Sequence, residues 1–255
     1  MLRKMISLLM IAMMTGMLSC TTHYAVTNVS RSRMLIDNTY DGKMDMQTAS
    51  FMQPFTLRVD SLMSPVLGQA ATPIEAYRPE SPMSNLLPDI LVWAAAQYGE
   101  TPDFGVYNIG GMRASFAKGD ITIGDVFDVS PFENHICFVS LSGEKVLELF
   151  GQIAYRKGEG VSKEVRIEMT ADGKLLNATI NGQPVDPGKT YRISTIDYLS
   201  HGNDRMAAFK SCTDRHDITD DGGLGRSIIM RYIQDCTSQG VLVKSEIEGR
   251  ITIKE

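Results

Sequence analysis

Asn108-Ile109-Gly110-Gly111-Met112-Arg113 follows directly on a short apolar run at residues 104–108. An apolar run that stops in paired glycines reads as a buried strand ending in a tight loop. Paired glycines reach positive φ and let backbone close on a ligand. An arginine just beyond them can grip phosphate or carboxylate through two parallel hydrogen bonds. Taken alone, the same pattern is more often a plain turn after a strand.

Working outward, the hydrophobic period changes several times. Residues 44–63 carry mixed apolar positions and read as a helix. Ser84 is placed to cap a helix over 85–98, with Pro88 in its first turn and Leu87, Ile90, Leu91 and Ala94 on one face. Residues 136–141 form a second buried strand, ended by Ser142-Gly143. A helix follows with Val146, Leu147, Phe150, Ile153 and Ala154 on one side. From 164 to 196 the period becomes two, with turn signals at Asp172-Gly173, Asn181-Gly182 and Asp186-Pro187-Gly188. A Gly-rich loop over 221–225 leads to a helix through Ile228, Ile229, Tyr232 and Ile233, and a strand around 249–253 follows. Helices and hairpins without strict βαβ alternation define a mixed α+β domain.

Two further segments carry chemistry. In Pro131-Phe132-Glu133-Asn134, a proline fixes the turn and an aromatic face sits beside an amide. Such a face can stack a nucleobase, although an aromatic at a strand start also serves a core. Tyr198-Leu199-Ser200-His201-Gly202-Asn203-Asp204 places an aromatic, a turn and a carboxylate within seven residues. Asp204 can accept from sugar hydroxyls or a base, and aspartate also closes turns for local reasons. His201 reads as a solvent-facing loop residue.

The first residues read as an export signal: Arg3 and Lys4, then an apolar stretch over 5–18. That stretch is shorter than the roughly 20 apolar residues that span a bilayer. Leu18-Ser19-Cys20 resembles a lipoprotein cleavage site, with residues 1–19 as signal, Cys20 as the lipidated residue, 20–35 as a polar tether leading into a first strand, and 36–255 as one domain. An ordinary cleaved signal is the other reading of the same residues. Loss of Arg3 and Lys4 would move the net charge from −5 to −7, which argues against nucleic acid as a partner. Cys137 lies in an apolar run and reads as a buried thiol, while Cys212 and Cys236 are candidates for a disulfide in an oxidising compartment.

Together the three segments resemble the C-terminal, substrate-binding domain of bacterial 5'-nucleotidases. That family carries Asn-Gly-Gly-Gly-Ile-Arg, then Pro-Phe, then an aromatic six residues before an aspartate in a Gly-Gly-Asp-Gly turn. Asn108 and Arg113, Pro131-Phe132 with Asn134, and Tyr198 with Asp204 match in order. Gly119-Asp120-Ile121-Thr122, Val139-Ser140-Leu141-Ser142-Gly143, Glu80 to Leu87 with Asp89, and Glu248-Gly249-Arg250-Ile251 fit the segments between and beyond, so the resemblance covers residues 70–253. It implies that Phe132 and Tyr198 sandwich a base, Asn134 bonds the base, and Asp204 holds the ribose. It also implies that Arg113 binds phosphate, that Asn108 with Gly110 and Gly111 shapes the site, and that Arg78 is a second phosphate ligand. The departures are Ile109 for a family glycine, and Asn203 and Arg205 for the glycines flanking Asp204.

The family's hydrolysis uses a two-metal site in a separate domain, built on Asp-x-His and Gly-Asn-His-Asp/Glu segments. His23, His135, His201 and His216 lie in no such segment, so no cofactor is expected in this chain. Three readings follow. The first is the nucleotide-binding half of a split 5'-nucleotidase, whose divalent metals sit on a separate metallophosphoesterase chain. The second is a non-catalytic nucleotide- or nucleoside-binding lipoprotein of the bacterial cell envelope, membrane-associated through its lipid alone. The third is a structural lipoprotein that kept the fold without the ligand.

Overall fold

The computed structural model describes residues 24–40, 42 and 45–254. Cys20, the signal stretch and the first part of the tether lie outside them. The chain divides into two units, Met1–Phe51 and Met52–Glu255. In the first, the described residues just after the tether form a one-turn 3-10 helix at Asn38–Tyr40, not the strand expected there, and the helix expected over 44–63 begins as α1 (Met46–Met63). Asp45 explains the helix. Its carboxylate accepts the Gln47 N–H at 3.1 Å and the Thr48 hydroxyl at 2.6 Å, which caps the first turn.

The second unit is built on a five-stranded sheet in the order β10 (Thr213–Asp217), β4 (Ile136–Ser142), β9 (Thr190–Ile196), β2 (Phe104–Tyr107), β5 (Gly160–Val161). β4 and β9 pair antiparallel along seven residues, from Ile136↔Ile196 to Ser142↔Thr190. β2 lies parallel to β9, with Phe104 opposite Ile193. β2 is buried throughout, and β4 is buried from Ile136 to Leu141. That continuous burial is why both read as unbroken apolar runs. Cys137, inside β4, is a buried thiol pushed up to about 12 by that burial.

A four-stranded sheet runs β11 (Ile251–Lys254), β6 (Val165–Thr170), β7 (Leu175–Ile180), β8 (Gln183–Pro184). In β6, Val165, Ile167 and Met169 are buried while Arg166, Glu168 and Thr170 are half-buried, matching the period of two. Asn181 and Gly182 both take positive φ, 51° and 74°, as a two-residue hairpin turn requires. β1 (Val66–Ala70) and β3 (Gly119–Thr122) form a small antiparallel pair.

Helices cover the sheets. α2 (Pro82–Ala95) packs on β2, β5 and β9. Its N-cap is Ser81, not Ser84. The Ser81 hydroxyl accepts the Ser84 N–H, and the Ser84 hydroxyl accepts the Ser81 N–H at 2.8 Å, a reciprocal cap. Pro82 therefore takes the first helical position and Pro88 lies in the interior. Gly105 allows the close approach of this helix: a Cβ there would sit 2.7 Å from the Pro88 carbonyl oxygen. α3 (Ile123–Val129) is short, and α4 (Gly143–Tyr155) buries Val146, Leu149, Phe150, Ile153 and Ala154. After the one-turn α5 (Asp197–Ser200), α6 (Gly225–Ser238) packs against β1 and α2.

The segment over 248–251 acts as a clasp. Arg250, 1% exposed, reaches both Asp89 oxygens at 2.7 and 2.8 Å and donates to the carbonyls of Asn85 and Val161. Buried Glu80 accepts the Asn85 side-chain amide and the Glu248 N–H, both at 2.7 Å. Cys212 and Cys236 are free thiols, so the disulfide raised as a candidate does not form. No helix among the described residues is long and apolar enough to cross a membrane.

Candidate ligand-binding site

Because β2 and β9 are parallel and β4 opposes them, the ends of β2 and β9 and the start of β4 lie at one edge of the sheet. Asn108 follows β2, Phe132 and Asn134 precede β4, and Tyr198 follows β9 in α5. Residues far apart in sequence are thereby gathered. Asn108, Gly110, Gly111, Phe132, Asn134, Tyr198 and Asp204 line one open cleft of about 200 Å³. An apolar cavity of roughly 150 Å³ accepts a benzene ring, so the space suits a flat ring system.

The floor is polar and ordered. Asn108 is buried, and its side-chain amide donates to Asp204 Oδ2 at 2.6 Å. The Tyr198 hydroxyl donates to Asp204 Oδ1 at 3.3 Å. Partial desolvation, then the Asp204 charge and this bond, push the Tyr198 phenol above its ordinary value. Asp204 and Arg205 both have left-handed backbone, φ 52° and 61°. The turn keeps the shape of a glycine turn without the glycines, a strain found where structure serves a site. Asn203 secures it by donating to the Tyr198 carbonyl at 2.8 Å.

The walls are aromatic. Phe132 and Tyr198 are 46% and 40% exposed, high for aromatic side chains in a well-packed domain. Phe132 is thus not the core residue that its place before a strand also allowed. Asn134 is anchored through its carbonyl, which accepts the Gly225 N–H at 2.9 Å. Gly111 packs closely here: a Cβ would come within 2.8 Å of Asn108 Oδ1 and 3.2 Å of the Tyr107 ring, so a larger residue would push on the Asn108 side chain.

The two arginines sit elsewhere. Arg113 is exposed, does not line the cleft, and donates to the Gly110 carbonyl at 3.4 Å. Arg78 also stays out of the cleft; it donates to the Gly158 carbonyl at 2.9 Å and pairs with Glu159. Glu159, fully buried, and Arg156 were not singled out in the sequence. Their signal was a charged run, Arg156-Lys157-Gly158-Glu159-Gly160, wedged between a helix and a buried strand. His201 is exposed, with Nδ1 2.6 Å from the Asp197 carbonyl oxygen. Among the described residues no three His, Cys, Asp or Glu side chains converge to hold a metal.

The fold is a mixed α+β domain with Phe132, Tyr198 and Asp204 gathered at one cleft. The chain belongs to the family described as "5'-nucleotidase, C-terminal domain", which matches residues 66–211. Protein UshA of Escherichia coli (strain K12) is 26% identical over 202 residues, covering 78% of this chain and 36% of that protein. The chain thus spans about a third of that relative's length. The 5'-nucleotidase precursor of Thermus thermophilus superposes with a TM-score of 0.66 at 24% identity, over 82% of this chain and 42% of that one. Sulfate thiohydrolase SoxB, also from Thermus thermophilus, shares the fold too, with a TM-score of 0.59 at 13% identity, over 81% and 38%.

Proposed function

We propose that this chain is the nucleotide-binding half of a 5'-nucleotidase-type hydrolase, and that a separate metallophosphoesterase chain supplies the metal site. The observation that carries the reading is the gathering of Phe132, Tyr198, Asn134 and Asp204 around one cleft. Each suits one part of a nucleotide. The exposed ring faces of Phe132 and Tyr198 offer stacking, worth about 1–3 kcal/mol per base. Asn134 offers amide bonds to the base edge, and Asp204 offers acceptors to ribose hydroxyls. Arg113, exposed beside the Gly110-Gly111 loop, is the cation for phosphate, whereas Arg78 is already engaged by Glu159. Holding base, sugar and phosphate supplies the positioning on which such catalysis depends. An export signal over residues 1–19 and a lipid on Cys20 would place the chain in the cell envelope.

Calorimetric titration with AMP, UMP and adenosine tests the binding half. Phosphate release from AMP in Mn²⁺ should be absent with the chain alone, appear with a matching metallophosphoesterase, and fall with F132A. Metal-dependent turnover by the repurified chain alone would overturn the split, and failure to bind any nucleotide would overturn the reading altogether.

A further inference from the structure

Glu159 is fully buried and lines no part of the cleft. A buried carboxylate is costly unless its oxygens are satisfied. Here each oxygen is spoken for. Oε1 accepts from Arg78 and, at 2.5 Å, from Arg156 Nε. Oε2 accepts the backbone N–H of Ile109 at 2.6 Å, immediately ahead of Gly110-Gly111. The far end of the same Arg156 guanidinium stands 3.7 Å from Asp204 Oδ2, within ion-pair range but too long for a hydrogen bond.

We propose that Glu159 is a positioning residue for ligand binding: it pins the loop at Ile109 and holds Arg156 back from Asp204, which leaves carboxylate lone pairs free for ribose hydroxyls. This rests on the nucleotide reading of the cleft. An ionised carboxylate has about four acceptor sites, of which Asn108 and Tyr198 occupy two. An arginine released from Glu159 is free to close on Asp204, with which it already stands at ion-pair distance. A close, two-pronged pair there would consume the remaining sites. Glu159→Gln keeps the shape and an oxygen for the Ile109 N–H but removes the charge that holds Arg156. Arg156→Lys removes the Nε anchor and leaves a mobile cation.

Adenosine and 2',3'-dideoxyadenosine separate this role from a merely structural one, because only the first offers ribose hydroxyls. With the full chain in calorimetry, the wild type should prefer adenosine. Glu159→Gln and Arg156→Lys should each shrink that preference about tenfold, the scale of one charge-assisted hydrogen bond, with dideoxyadenosine binding little changed. Arg156→Lys carries the test if Glu159→Gln does not fold. Preference retained in either folded variant, or an equal loss for both ligands, overturns the proposal. Wild-type protein that binds neither ligand overturns the nucleotide reading instead.

Discussion

The side-chain amide of Asn108 donates to Asp204 Oδ2 at 2.6 Å, across 96 residues of sequence. It ties the loop after β2 to the strained turn after α5. Asn108→Ala removes a bond to a charged group, worth about 1.5–3 kcal/mol. Adenosine affinity should fall with it, because Asp204 loses its orientation. Unchanged affinity in calorimetry would detach Asn108 from the site.

Phe132→Ala and Tyr198→Ala should each weaken nucleotide binding by about 1–3 kcal/mol. Both rings are substantially exposed in one cleft. The check is a paired titration with AMP and with ribose 5-phosphate, which lacks a base. The loss should appear for AMP alone; an equal loss for both ligands would point away from stacking.

Arg113→Lys keeps the charge and loses the planar fork. AMP affinity should drop more than adenosine affinity, since the guanidinium sits at the glycine loop outside the base cleft. Parallel losses for the two ligands would remove Arg113 from phosphate binding.

Arg250→Met leaves Asp89 and the carbonyls of Asn85 and Val161 without their shared partner. Breaking one side of a buried pair typically costs about 3–5 kcal/mol. Urea unfolding should show a loss of that order, and a cost below about 1 kcal/mol would mean that the clasp behaves like a surface pair.

Acid should release a second clasp. Arg192 donates to both Glu100 oxygens, at 2.6 and 2.8 Å, and His216 Nδ1 lies 2.8 Å from Oε1. The Arg192 bonds, opposed by burial and helped by His216, hold the Glu100 carboxyl below its ordinary value of 4.5. A depressed carboxyl stabilises the fold above the unfolded value, and that contribution fades as pH falls through the folded value. The stability gap between wild type and Glu100→Gln should therefore be wide at pH 7 and narrow at pH 3. A gap that widens in acid would contradict the sign.

The fold was legible wherever burial imposes a period. The unbroken apolar runs of β2 and β4, the alternation in β6 and the Asn181-Gly182 turn all stand in the sequence. The cap of α2 was misplaced because Ser81 and Ser84 cap each other, and either serine alone satisfies the local rule. The helix over 44–63 was legible too, since Asp45 caps the first turn of α1, whereas the strand expected just after the tether is a one-turn 3-10 helix at Asn38–Tyr40. Asn108, Phe132, Tyr198 and Asp204 stand out in the sequence through their loops, and the structure brings them to one cleft. Arg156 and Glu159 were not, since a charged run ordinarily marks a solvated surface, and only tertiary contacts reveal that Glu159 is enclosed. Arg78 appeared as a free cation for the converse reason: its partner lies 81 residues away.

The cleft groups hang from the ends of β2, β4 and β9, whereas the strands themselves are filled with buried side chains. Recognition and cohesion thus fall to different residues. Substitutions at Phe132 or Tyr198 should leave the melting temperature almost unmoved, since their rings contribute little to the core. Such a scaffold can drift toward new ligands by rewriting its rim, one loop at a time, without first surrendering its capacity to fold.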